Sequence, residues 1–287
     1  MFDALFESIK EIIIESLMAL LQSFFLGPNI MNAGNMVSQT PGAFSATSLA
    51  LAENINNYVI LPVAGVILTY VMVLELISLV TDYNNMHENT TMGLYKWMFK
   101  TFLAIMLVSH AFEIATAIME AGASLVTDSI PYATGETGTL MTEMEASLEQ
   151  YGIGELIVAW VTTLVSGLIV WIAQLFIWVV IITRFMSIYM NLAVASVPFA
   201  TLSSEKLNGT GLNYIKSMIG IALQGVIIIV ALAVYGAISA SPLDIGTPGE
   251  GMMAILQILV KPLVLLLSLI VIIMKSKSIA NSIVGSY

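Results

Sequence analysis

Five apolar stretches, about Ile55 to Val80, Trp97 to Gly122, Gly154 to Thr183, Ser217 to Ser239 and Met252 to Met274, dominate this chain. Each reaches the roughly 20 residues that an α-helix needs to cross a hydrocarbon layer of about 30 Å. In lipid every backbone N–H and C=O has to be paired inside the protein, so runs this long fold as transmembrane helices. The expected fold is therefore all-α and polytopic, with about five spans. Charge agrees with this. Only 10% of the 287 residues are charged, against 58% hydrophobic, and the mean hydropathy is +0.94. That is too little charge to solvate a soluble domain of this size, which excludes a soluble enzyme. With no cysteine, the chain has no disulfides, thiolate metal sites or cysteine nucleophiles.

The flanking segments differ in kind. Residues 1–26 repeat apolar side chains at three- and four-residue spacings around acids at 3, 7, 11 and 15, the pattern of an amphipathic helix lying on a surface or a partner. A secretory signal would start basic instead, so insertion is expected to rest on the chain's own spans. Gly27-Pro28 ends that helix. Residues 29–54, rich in Asn, Ser, Thr and Gly, read as a polar linker with one short helix. A sixth apolar run, Phe185 to Leu202, is interrupted by Asn191 and Pro198.

Lysine and arginine orient the spans, because short loops rich in them stay cytoplasmic. With five spans, Lys96, Lys100, Arg184, Lys206, Lys216, Lys275 and Lys277 share one side. The opposite loops, 123–153 and 240–251, carry acids and no basic residue. A sixth full span at 185–202 would break this pattern, so that run is expected to be a re-entrant or interfacial helix after the third span. The expected organisation is an outer amphipathic helix and linker over 1–54, two spans over 55–122, an acidic outer segment over 123–153, and three further spans over 154–287. The N-terminus lies outside and the C-terminus in the cytoplasm of a multi-pass cell-membrane protein.

Ionisable and amide side chains inside spans are the best functional pointers, since each is costly at mid-membrane without a partner or water. His110 and Glu113 are three residues apart on one helix face, which admits a proton relay or a polar contact between helices or subunits. Glu75 is within reach of Lys96 or Lys100 for a structural ion pair. Lys261-Pro262 interrupts the fifth span, where Lys261 snorkels, pairs with Glu113 or Glu120, or lines a lumen. Gln174, Gln224 and Gln257 sit in three different spans and specify packing between helices or subunits. The basic inner residues Lys96, Lys100, Arg184, Lys206 and Lys216 are candidates for docking cytoplasmic partners. His87-Glu88 lacks further ligands at metal spacing, and the 18 methionines form no cluster. No phosphate loop, triad or dinucleotide fingerprint occurs, so no catalytic, metal or cofactor site is expected.

Leu61-Pro-Val-Ala-Gly-Val-Ile-Leu-Thr-Tyr, then Leu74-Glu-Leu-Ile, Asn84-Asn-Met-His and Tyr95-Lys-Trp-Met-Phe-Lys-Thr, resemble the first two spans of TrbL-type conjugal transfer proteins. Arg184-Phe-Met-Ser-Ile-Tyr, Ser196-Val-Pro-Phe-Ala-Thr-Leu and Gly211-Leu-Asn-Tyr-Ile-Lys-Ser, continuing to Ala222-Leu-Gln-Gly-Val, resemble a later block of the same family. The likeness covers roughly residues 55 to 240 and is greatest to versions carried by mobile elements of Gram-positive bacteria. It implies a non-catalytic inner-membrane channel and scaffold subunit of a type IV secretion system that forms a homo-oligomeric ring. The implied partners are other channel subunits, pilus or stalk subunits and cytoplasmic ATPases, with DNA met only in transit. A second reading, from the residues alone, is a proton-coupled transporter or ion channel using His110, Glu113 and Lys261.

Overall fold

A computed structural model describes residues 2–25, 28–81, 90–133, 148, 151–204, 206–239 and 252–285. The described residues form helices and no strand: α1 Phe2–Phe25, α2 Pro28–Val37, α3 Pro41–Phe44, α4 Ala46–Ile55, a π-helical turn Asn56–Ile60, α5 Leu61–Thr81, α6 Thr90–Ser109 and α7 Ala111–Ala133. These are followed by α8 Ile153–Ala193, α9 Ser196–Thr201, α10 Asn208–Ser239 and α11 Met252–Val284. His87-Glu88, the 240–251 loop and most of the acidic outer segment lie outside the described residues.

Four helical segments are long and apolar enough to cross a membrane: Ala46–Thr81, Ile153–Ala193, Asn208–Ile238 and Leu263–Val284. A fifth crossing exists if Met92–Ser109 and Ala111–Pro131 count as one, for the two are bent by 63°. The expected straight second span from Trp97 to Gly122 is therefore broken in its middle, at His110. No proline or glycine causes the break. Instead the His110 ring nitrogen Nδ1 lies 3.0 Å from the Met106 carbonyl, which also accepts the His110 backbone N–H at 3.1 Å. A side chain that enters the helical ladder in this way is a recognised origin of kinks.

Two further expectations are corrected. The polar stretch 29–54 is helical in three pieces, and the helix from Ala46 runs through the π turn into α5 up to Thr81. Its starts are encoded locally: Thr40 Oγ1 accepts the Ala43 N–H at 3.2 Å with Pro41 in the first turn, and Ser45 Oγ accepts the Ser48 N–H at 3.2 Å. The run 185–202 is not one separate helix. Residues 185–193 complete α8, and only Ser196–Thr201 forms a short helix of its own. Pro198 falls in the first turn of α9, where its missing N–H breaks no helical bond.

The chain divides into two compact units. The first comprises Met1–Ser38, Leu125–Ile182 and Gly225–Ser276. Leu156, Ala159, Thr163, Val170, Ala173, Ile177 and Ile181 form its buried stripe on α8, at the three- and four-residue spacing of one helix face. Leu17 and Leu21 of α1 are buried in the same unit, and Trp160 Nε1 donates to Ser16 Oγ at 3.1 Å. Gly34 of α2 faces Ile229 and Leu232 of α10.

The second unit comprises Gln39–Ser124, Thr183–Gln224 and Lys277–Tyr287. Here α5 and α6 pack as a hairpin, and α9 packs on both and on the π turn. Gly122 permits a close approach: a Cβ there would lie 2.6 Å from the Ala222 Cβ. Gly211 does the same at the start of α10, where a Cβ would lie 2.7 Å from the Pro198 carbonyl oxygen. The outer faces of α5 and α6 expose large apolar side chains, among them Val66, Tyr70, Phe99 and Phe102, as expected of surface meant for lipid or other subunits.

Candidate functional site

The polar side chains of the second unit converge where α8 ends. A helix leaves its last four carbonyls without intrahelical donors, and in an apolar setting each needs another partner. Tyr214 of α10 donates its hydroxyl to the Asn191 carbonyl at 2.9 Å. Asn56 Nδ2 donates to the Ala193 carbonyl at 3.2 Å and lies 3.5 Å from that of Leu192. The Asn56 carbonyl oxygen Oδ1 in turn accepts the Ser196 hydroxyl at 3.0 Å. Asn56 and Ser196 are almost wholly buried, at 1% and 0% exposure. Asn56 opens the π-helical turn, a helix irregularity often found at functional positions.

The upstream segment is fastened to the same stretch of α8. The Tyr189 hydroxyl donates to the Pro41 carbonyl at 2.7 Å, and the rings of Phe44 and Phe185 stack at 3.8 Å between centroids. Arg184 is buried, with Nε donating to the Ile221 carbonyl at 3.3 Å and its guanidinium 5.4 Å from the Phe185 ring centre. The expected presentation of Arg184 to a cytoplasmic partner is thereby corrected, since its charge faces the interior. Lys96, Lys206 and Lys216 are exposed.

Glu75 and Lys100 form an ion pair between Oε2 and Nζ, which selects Lys100 over Lys96. Trp97 Nε1, donating to the Met72 carbonyl at 3.1 Å, holds the same face of α6 against α5. His110 and Glu113 are both exposed, and the imidazole is engaged with Met106 rather than with Glu113. Gln174 and Gln224 are buried within the protomer. Gln257 and Lys261 belong to α11, but their side chains lie outside the described residues. No group of three or more metal-ligating side chains occurs among the described residues.

Reading the sequence singled out neither Asn56 nor Ser196, Tyr189 or Tyr214. Asn56 looked like the polar edge of a span, and only its pairing with residues about 140 positions away gives it a role. The available signal was an Asn-Asn pair, Asn56-Asn57, at the start of an apolar run.

Long apolar helices joined by a buried polar junction define a polytopic α-helical membrane protein. The chain belongs to the TrbL/VirB6 plasmid conjugal transfer-like family, whose sequence profile matches residues 27–196, more than half of its length. It is thus a conjugal transfer membrane protein. The match takes in α2 to α8, ends at Ser196, and includes the whole junction except Tyr214. Neither the curated proteins nor the solved structures include a match.

Proposed function

We propose that the chain is a non-enzymatic channel and scaffold subunit of a conjugative type IV secretion system. The observation that carries this reading is the family match over 27–196, which covers α2 to α8. The protein forms a ring with copies of itself. It contacts other channel subunits and pilus or stalk pieces outside, and ATPases in the cytoplasm through Lys206 and Lys216. DNA passes only transiently, which suits a chain of net charge −10 with no basic groove in its sequence. The lysine distribution supports a cytoplasmic C-terminus and cytoplasmic 202–216 loop, an outer 123–153 segment and an outer N-terminus.

Deleting the gene from its mobile element tests the role. Transfer is expected to fall below detection and to return on complementation, whereas transfer at the parental frequency refutes it. Single-particle imaging of the protein in mild detergent tests assembly. A closed ring supports the channel reading, and a monomer with a polar cavity of its own favours a transporter.

A further inference from the structure

We infer that residues 39–56 lie on the same side of the membrane as the Arg184–Ser204 segment. Reading the spans by charge alone puts these segments on opposite faces, because a span from Ile55 to Val80 would start outside and one from Gly154 to Thr183 would end inside. The contacts do not allow this. Asn56 shares hydrogen bonds with Ala193 and Ser196, Pro41 with Tyr189, and Phe44 stacks on Phe185. Atoms within about 4 Å cannot sit at opposite surfaces of a hydrocarbon layer about 30 Å thick.

Three separate contacts spread over sixteen residues, from Pro41 to Asn56, carry the placement, so it does not hang on one side chain. The charge rule is least decisive at this very place. Of the two lysines that anchored the loop after the first span, Lys100 is neutralised by Glu75, leaving Lys96 alone. Because α9 packs on α5, α6 and the π turn, the α5–α6 hairpin is rooted at the junction, entering and leaving from the face where α8 ends.

The absence of native cysteine makes the test direct. Single cysteines are placed at exposed positions in the full-length protein, as Thr47→Cys, Asn54→Cys, Asn208→Cys and Asp128→Cys. Each is treated with a membrane-impermeant maleimide in intact cells and in inverted vesicles. Thr47→Cys and Asn54→Cys are expected to label together with Asn208→Cys, at least tenfold more in one preparation than in the other. Labelling of both from the face opposite to Asn208→Cys overturns the inference, and so does protection from both faces, which would embed the segment in lipid. Asp128→Cys tests the separate reading that 123–153 lies outside. If it labels with Asn208→Cys, that topology fails, while the comparison of 47 and 54 with 208 still decides the present inference.

Discussion

Replacing Asn56 by leucine keeps nearly the same side-chain volume and removes both hydrogen-bonding functions, so it isolates the polar contribution of the junction. Two well-formed bonds are lost, at 3.2 Å to Ala193 and 3.0 Å from Ser196, along with the marginal 3.5 Å approach to Leu192. A hydrogen bond nets about 0.5–1.5 kcal/mol, and a buried polar group left without a partner costs about 1–3 kcal/mol. Contacts between membrane helices average only about 0.6 kcal/mol, because the unfolded chain also finds partners in lipid. The expected loss for Asn56→Leu is therefore about 2–4 kcal/mol, weighted toward the Ala193 carbonyl, which loses its donor. Ser196→Ala removes a donor while Asn56 keeps its two carbonyl contacts, and should cost about 1 kcal/mol. Thermal or SDS unfolding in detergent, followed by the fluorescence of the four tryptophans, measures all four states of the cycle. The double variant should lose less than the sum of the single losses, by about 0.5–1.5 kcal/mol, as residues sharing a bond do. A single-variant loss below about 0.5 kcal/mol, or strict additivity, would refute the account of Asn56 as the cap of α8.

Three further outcomes are expected. Gly122→Ala should destabilise by about 1–3 kcal/mol through overpacking, with partial rescue by Ala222→Gly, and equal damage in both backgrounds would disprove the close approach. Lys100→Met leaves Glu75 without its counter-ion and should cost roughly 1–3 kcal/mol, between the values for exposed and buried pairs; Glu75→Gln added to it should recover most of that loss in the same unfolding assay. Gln224→Leu should lower the unfolding midpoint of the protomer while leaving particle mass in detergent unchanged, because the amide is buried inside one chain. A shift in mass with unchanged stability would instead return Gln224 to a subunit interface.

Much of the architecture was readable from apolar run length alone, since a lipid environment permits few backbone solutions for such runs. Spans corresponding to α5, α8, α10 and α11 fell where the apolar residues do, and Glu75 was assigned a lysine from the next helix. The breaks were not readable in the same way. The helix bends at His110 without proline or glycine, where the imidazole shares the Met106 carbonyl with the backbone N–H, a geometry with no sequence signature. Pro198 suggested an interruption of 185–202, yet the interruption falls at Val194 and Ala195, and the proline merely starts the next turn. The 29–54 segment misled through composition. Thr40 and Ser45 cap short helices there, and the Pro41 carbonyl and Phe44 ring fasten the stretch to α8. The junction required contacts between residues more than 130 positions apart, which periodicity does not report.

The 41 residues of α8 make an unbroken rod about 61 Å long, twice the thickness of the hydrocarbon layer. Even at a tilt of 40°, near the limit for membrane helices, it reaches about 47 Å along the bilayer normal. Some 17 Å of it must therefore stand clear of the hydrocarbon, whatever its inclination. The helix thus carries more backbone than one crossing uses, and a bilayer of different thickness is met by a change in its tilt or in the length left clear.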